Sequence, residues 1–209
     1  MAIFESTVFT HLRKSFGNVT TCVSRGMNIL RTKTTIVNNP NTLEQRKQRL
    51  RMKELVDLSL VFYDVCNLGF PRHRLGETPL NVFVRLNMQA VSVSEKLEVT
   101  LQYDRLVCSE GRLKAPEVSV SGEADAHRLV FTPTAQEYAL GKSPDASVYA
   151  VMFEKARREV QVDLLCKAGE SEPVNVELPG SWDPDEIAVY AFTLAADKRS
   201  ASPTVCVKV

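Results

Sequence analysis

The chain has 209 residues, of which 44% are hydrophobic and 24% charged, with a net charge of +1. These values are those of an ordinary globular protein with one large or two small domains, and they point to no particular partner. No run approaches the roughly 18 apolar residues of a membrane span, and the N-terminus lacks the pattern of a signal peptide. We therefore expect no membrane span and synthesis in the cytoplasm, with incorporation into a particle left open.

The charge is unevenly distributed along the chain, and the cysteine pattern limits the disulfide and metal chemistry that is expected. Residues 1–112 contain 16 Lys/Arg against 10 Asp/Glu, and residues 113–209 contain 10 against 15. This asymmetry favours two units of different character. The five cysteines have no CxxC spacing, which argues against a disulfide framework and a zinc site and favours free thiols in a reducing compartment. They are Cys22, Cys66, Cys108, Cys166 and Cys206.

Residues 18–37 predict a β-hairpin. They are rich in β-branched side chains, and Gly26 can supply the positive φ of a hairpin turn. Val19, Thr21 and Val23 can share one face of the first strand. Because a lone hairpin is marginally stable in water, it must pack on the rest of the chain or on another copy.

A basic helix is predicted from about residue 43 to about residue 66. Pro40 keeps the preceding residue out of helical conformation, Asn41 or Thr42 can cap the helix, and Glu44 or Gln45 completes a capping box. The first half of this helix carries the basic side chains Arg46, Lys47, Arg49, Arg51 and Lys53.

A second helix is predicted from Pro79, capped by Thr78, to about Val91. The two helices would form a hairpin across the link 67–77, in which Arg72 and Arg74 extend the basic surface.

From residue 97 the hydrophobic period changes to two, which predicts strands. About seven of them follow residue 113, the number of an immunoglobulin-like or fibronectin type III-like β-sandwich, in which Tyr190 could make a corner hydrogen bond. The predicted fold is α+β, with a β-hairpin and helical hairpin in residues 1–112 and the sandwich in residues 113–209. The strands are predicted near 98–102, 104–108, 116–120, 127–132, 147–154, 159–166, 173–178, 187–194 and 203–208.

The order of these motifs resembles an uncharacterised family of about 210 residues, domain of unknown function 6266, found mostly in Bacteroidetes. The resemblance implies the same architecture and no established activity. The helix start also resembles that of phage-type structural proteins with immunoglobulin-like domains. The matching residues are Gly17-Asn18-Val19, Gly26, Arg31, Asn39-Pro40-Asn41-Thr42, Gln45, Arg49, Gly76, Pro79, Asn81, Leu178-Pro179-Gly180 and Val189-Tyr190-Ala191-Phe192.

No catalytic pattern is present in the sequence. It contains neither GxxxxGK[ST] nor GxGxxG, and His11, His73 and His127 are far apart. Loop carboxylates such as Asp183 and Asp185 are solvated charges or, as the alternative, half of a weak calcium site. We predict a protein that is not an enzyme and needs no cofactor, metal or small-molecule substrate.

The basic helix start leaves three alternatives open: a solvated helix face, a protein-binding surface or a nucleic-acid-binding surface. The leading hypothesis is a structural or protein-interaction role, such as a subunit of a phage-like or other particle assembly. A protein partner or self-association is expected, and a nucleic-acid-binding accessory protein using residues 43–53 is the alternative. The expected contact residues are Arg31, Arg46, Lys47, Arg49, Arg51, Lys53, Arg72 and Arg74, supported by Gly17, Asn18, Gly26, Pro40, Thr42, Gln45, Pro79 and Tyr190 as structural positions.

Overall fold

The computed structural model describes residues 2–5, 13–34, 36, 39–123, 127–135 and 145–207. The chain divides into two compact units. The smaller unit comprises residues 1–42 and 74–77, and the larger comprises residues 43–73 and 78–209. This division differs from the predicted boundary at residue 112, because the helices belong to the larger unit.

The smaller unit contains one antiparallel sheet in the order β1-β4-β3-β2. The predicted hairpin is present as β3 and β4, and Arg25 (φ 51°) and Gly26 (φ 76°) form its two-residue turn. Its second strand ends at Thr32 and not at the predicted residue 37, and residues 35 and 37 lie outside the described residues. Two further strands, β1 and β2, were not predicted, because two or three residues carry too little periodicity. The strands are β1 (Ala2–Ile3), β2 (Lys14–Phe16), β3 (Val19–Ser24) and β4 (Met27–Thr32).

The first predicted helix begins at Leu43 as expected, but it is two helices, α1 (Leu43–Val61) and α2 (Tyr63–Gly69). Phe62 separates them with φ −86° and ψ 22°. Backbone hydrogen bonds of helical spacing nevertheless run through this position, from Phe62 N to Leu58 O at 3.0 Å and from Cys66 N to Phe62 O at 2.8 Å.

The third helix, α3 (Pro79–Leu86), has the predicted start. Thr78 Oγ1 accepts a hydrogen bond from Asn81 N at 3.3 Å, and Pro79 is the first helical residue. The helix ends before the predicted Val91, because Asn87–Gln89 form a 3₁₀ turn and Val91 begins a strand. The buried Asn87 side chain fixes this turn by bonding Phe83 O, Val107 O and Val107 N at 2.7–2.9 Å.

The β-rich part forms three antiparallel sheets, in the orders β10-β9-β12-β13, β11-β8-β7 and β5-β6. Eight of the nine strands predicted beyond residue 97 are present, with ends within a few residues. The strand predicted at 104–108 is wrong, because Tyr103–Arg105 form a 3₁₀ turn. The strands are β5 (Val91–Val93), β6 (Val99–Leu101), β7 (Val118–Glu123), β8 (Arg128–Pro133), β9 (Ser147–Glu154), β10 (Glu159–Lys167), β11 (Val174–Glu177), β12 (Ile187–Leu194) and β13 (Val205–Val207).

Strands β9 and β12 are buried on both faces. On one face, Met152 and Val189 pack with Leu129, Phe131 and Val176 of the β11-β8-β7 sheet. On the other face, the side chains pack against the helices; this core includes Leu58, Phe62, Phe83, Val151, Phe153, Tyr190 and Phe192. The helices therefore share an apolar core with β9 and β12.

Tyr190 shows the same coupling between helices and sheet. The predicted corner hydrogen bond is wrong, because the Tyr190 hydroxyl donates to the carbonyl oxygen of Tyr103 at 2.7 Å, 87 residues away in sequence. Burial raises the pKa of Tyr190. The hydroxyl thus ties β12 to the turn before Leu106 and remains protonated.

Candidate functional site

The part of the smaller unit's sheet that the structure describes has no buried core. None of its described residues is buried, although β3 and β4 carry Val19, Val23 and Ile29. Phe16 is 88% exposed and Ile3 is 62% exposed. Isolated sheets normally bury one apolar face against another layer. This sheet, which we call the N-terminal sheet, therefore presents apolar side chains that its own unit does not cover.

The strand register places apolar side chains on both faces of the N-terminal sheet. Phe16 lies opposite Val19, which lies opposite Thr32, so these three residues share a face. Ile3 lies opposite Ile29, which lies opposite Cys22, on the other face. Neither face is polar throughout, as a solvated face would be.

The smaller unit is also basic, with six Lys/Arg against two Asp/Glu. Of the predicted contact residues, Arg31 is exposed on β4 and Arg74 is exposed in the segment 74–77. Both therefore contribute positive charge to the surface of this unit, while the other six predicted residues belong to the larger unit.

On α1 the structure brings together three of the five predicted basic residues. Arg46, Arg49 and Lys53 are exposed and share one helical face by their spacing. Lys47 instead pairs with Glu44 at 2.8 Å, and this hydrogen bond and charge hold the pKa of Glu44 below its usual value. Arg51 is half-buried, and its Nε atom makes no hydrogen bond within the described part of the chain.

The same outer side of α1 carries apolar residues that sequence analysis did not single out. Met52, Val56 and Leu60 are 47%, 40% and 61% exposed. The sequence did carry a signal for this exposed apolar surface. Leu55 and Leu58 supply the buried side of α1, and the second half of the helix has further apolar residues on another side. We call the exposed residues Arg46, Arg49, Met52, Lys53, Val56 and Leu60 the outer face of α1.

Arg72, predicted as part of the basic surface, has a structural contact. Its Nε atom donates to the carbonyl oxygen of Arg199 at 2.8 Å, 127 residues away in sequence. The side chain therefore ties the segment after α2 to the loop after β12.

Ser109 and Thr204 of the larger unit form hydrogen bonds that join two distant segments of the chain. A cleft of about 450 Å³ is lined by Ser109, Thr204 and Cys206 among others. There, Thr204 Oγ1 accepts hydrogen bonds from Cys108 N at 2.8 Å and Ser109 N at 2.7 Å. These bonds hold the backbone of residues 108 and 109 in place, so the Thr204 hydroxyl has a structural role.

The acidic loop before β12 is organised in the same way. Asp183 accepts a hydrogen bond from Asp185 N at 3.1 Å, and buried Trp182 donates to Glu159 at 2.7 Å. In the described residues, no cluster of three or more metal-ligating side chains occurs.

All five cysteines are free thiols. Burial raises the pKa of Cys66 to about 12 and that of Cys108 well above its usual value. Thiols held protonated in this way are poor nucleophiles, and both pack in the core as small apolar groups.

The comparison with known families covers nearly the whole chain. A model of a family of unknown function, DUF6266, matches residues 11–206. The chain belongs to this family. No curated protein and no solved structure gives a significant match. Among the described helices, none is long and apolar enough to cross a bilayer.

Most of the residues predicted as structural positions occupy turns and helix starts in the structure. Gly17 and Asn18 form the turn between β2 and β3, and Gly26 forms the next turn. Pro40 and Thr42 directly precede α1, and Gln45 lies in its first turn. Pro79 begins α3, and Tyr190 lies in the core between helices and sheet.

Proposed function

We propose that this DUF6266 chain is a non-enzymatic structural or protein-interaction protein that docks through its N-terminal sheet. The observation that carries the proposal is that no described residue of this four-stranded sheet is buried. Sheets become stable when one face is packed against another layer. A protein partner or another copy of the chain would supply that layer.

The edges and charge of the N-terminal sheet favour a protein as its partner. Among the described residues, no strand pairs with the outer sides of the edge strands β1 and β2, and a strand of another chain can bond there. The exposed side chains combine aromatic and aliphatic groups, such as Phe16 and Ile3, with the cation Arg31. Aromatic residues and Arg are the residue types enriched at protein interfaces.

Besides docking, the proposed role includes the display of a rigid domain, and the larger unit is suited to that. We propose that its two larger sheets form a fibronectin type III-like sandwich. Their orders, β11-β8-β7 and β10-β9-β12-β13, correspond to the E-B-A and C′-C-F-G strand orders of that fold. A subunit of a phage-like or other particle assembly would dock through the N-terminal sheet and display such a domain. An experimental structure with these two sheets unpacked would contradict the sandwich.

Nucleic-acid binding by residues 43–53 is the alternative function. Arg46, Arg49 and Lys53 offer three phosphate contacts on one helix face. The neighbouring exposed residues are Met52 and Val56 rather than the interleaved aromatics of single-strand binding surfaces. The outer face of α1 therefore fits a protein better than a nucleic acid.

Substitution of one exposed aromatic residue tests docking by the N-terminal sheet. Full-length protein purified from its native source should retain a partner or form an oligomer, seen by sedimentation and mass spectrometry. Phe16→Asp should weaken that association at least tenfold, because a buried contact would receive an unpaired charge. Leu75→Asp is the matched control, since Leu75 is equally exposed but lies outside the strands.

Two results would decide against the proposal. If the protein is strictly monomeric and no other protein co-purifies with it, the docking proposal is wrong. If Phe16→Asp and Leu75→Asp weaken the association equally, the N-terminal sheet is not the contact surface. Salt-sensitive binding to DNA or RNA that is lost in a triple Ala variant of Arg46, Arg49 and Lys53 would instead establish the alternative.

A further inference from the structure

A second cleft of the larger unit is built from three segments that are distant in sequence. Its volume is about 390 Å³. It is lined by Arg72 in the segment after α2, by residues 110–112, and by residues 200–201 in the loop after β12. We call it the arginine cleft, because arginine side chains come from two of these three segments.

Backbone contacts hold the segments of the arginine cleft together. Glu110 N donates to Gly69 O at 3.1 Å, and Leu113 N donates to Ala201 O at 3.1 Å. A Cβ atom at Gly111 would overlap the carbonyl oxygen of Ala201, so these two segments approach each other more closely than a larger residue would allow. The walls of the cleft are therefore positioned by the main chain.

The two arginine side chains have hydrogen-bond donors that the described part of the chain does not use. Arg72 Nε donates to Arg199 O at 2.8 Å, which fixes the guanidinium group and leaves its two terminal nitrogens without a hydrogen bond to a described residue. Arg112 is exposed and forms no hydrogen bond or ion pair with the described residues. A guanidinium group binds two oxygens of a phosphate or carboxylate group at once.

The charge around the arginine cleft favours an anion. Glu110 contributes a carboxylate to the lining, but its Oε2 atom lies 3.7 Å from Nη2 of Arg85, which does not line the cleft. In the loop after β12, the carboxylate of Asp197 is outweighed by exposed Lys198 and Arg199. The positive charge of the cleft therefore exceeds the negative charge beside it.

We propose that the arginine cleft binds the phosphate group of a small phosphate monoester, with Arg72 and Arg112 donating hydrogen bonds to its oxygens. A monoester carries a charge of about −1.5 to −2 at neutral pH, which matches two guanidinium groups better than the single charge of a carboxylate or phosphodiester. Ser200 also lines the cleft, and its hydroxyl can donate a third hydrogen bond. The volume is that of a site for a small molecule.

The test titrates isotope-labelled full-length protein with glycerol phosphate at constant ionic strength and follows backbone amide signals by NMR. Amides of residues 110–112 and 200–201 should shift together and saturate, with a Kd of about 1 mM. Dimethyl phosphate and acetate, which carry one charge each, should bind at least tenfold more weakly. Equal binding of the three anions, or no saturable shift by about 10 mM glycerol phosphate, overturns the proposal.

An Arg112→Gln variant should bind glycerol phosphate at least tenfold more weakly, because one of the two charged contacts is removed. Its melting temperature should stay that of the wild type, since Arg112 bonds to no described residue. Arg157→Gln is the matched control. Arg157 is also exposed but does not line the cleft, so this variant should keep the wild-type affinity. Equal losses in the two variants would mean that the anion responds to overall charge, and the proposed site would be wrong.

A Glu110→Gln variant gives a result that misfolding cannot imitate. It removes the carboxylate from the lining and should tighten the binding of glycerol phosphate severalfold, because a like charge no longer repels the ligand. Weaker or unchanged binding would show that the ligand does not lie in this cleft. Phe16→Asp should leave the binding of glycerol phosphate intact, so a failure of docking by the N-terminal sheet and a failure of this site are observed separately.

Discussion

A Phe62→Ala variant should lose about 3–5 kcal/mol of unfolding free energy, which is the typical cost of removing a fully buried aromatic ring. Phe62 is fully buried, and its ring centroid lies 5.4 Å from that of Phe83 and 5.1 Å from that of Phe153. It thus contacts both α3 and β9. Denaturant titration followed by circular dichroism measures the loss, which should lower the melting temperature by roughly 10 °C.

The control for this experiment is Phe16→Ala, which removes an aromatic ring that is 88% exposed. Surface substitutions of this kind usually change stability by less than about 0.5 kcal/mol. If Phe62→Ala melts the helices and leaves the β-sheet signal at its wild-type midpoint, the shared core of helices and sheets is wrong.

A Gly69→Ala variant should be destabilised by about 3 kcal/mol or more, the upper end of the cost of overpacking. Gly69 closes α2, and a Cβ atom there would overlap the carbonyl oxygen and carbon of Cys108. The backbone on both sides is held, since Glu110 N donates to Gly69 O at 3.1 Å. The strain therefore cannot be relieved by the movement of a side chain, and thermal unfolding should shift downward by roughly 6–12 °C.

Gly169→Ala is the matched control for the same substitution. A Cβ atom at Gly169 would meet nothing within 4 Å, so this change should be neutral or slightly stabilising. Equal melting temperatures for the two variants would mean that α2 does not approach the 108–110 segment as closely as described.

Local signals in the sequence were sufficient for the elements whose ends are marked by turn and cap residues. Gly26 fixed the turn between β3 and β4, and Thr78-Pro79 fixed the start of α3. Both features depend on a few neighbouring residues, so no tertiary contact is needed to specify them.

Tertiary packing decided what local signals did not specify. The end of α3 at Leu86 depends on the hydrogen bonds between Asn87 and Val107, which is distant in sequence. The break at Phe62 has no marker in the neighbouring sequence. The burial of β9 and β12 on both faces did have a signal. Residues 147–154 and 187–194 are almost continuously apolar, without the alternation of a strand that has one solvated face.

The candidate interaction surfaces were only partly predictable for a related reason. The basic character of residues 46–53 is evident in the sequence. Which of these side chains are exposed depends on their positions around the helix and on the ion pair between Lys47 and Glu44. The exposed ones are Arg46, Arg49 and Lys53. The exposed stripe of Met52, Val56 and Leu60 became recognisable once Leu55 and Leu58 were placed in the core.

Hydrogen exchange on dilute full-length protein tests the central proposal most directly, namely that the N-terminal sheet, whose described residues are not buried, docks on a partner. Exchange followed by mass spectrometry should show amides of β3 and β4 opening with far lower free energy than those of β9 and β12. Protection of β3 and β4 should rise when the partner or a second copy is bound. Equal, high protection of all four strands in the dilute monomer would contradict the account.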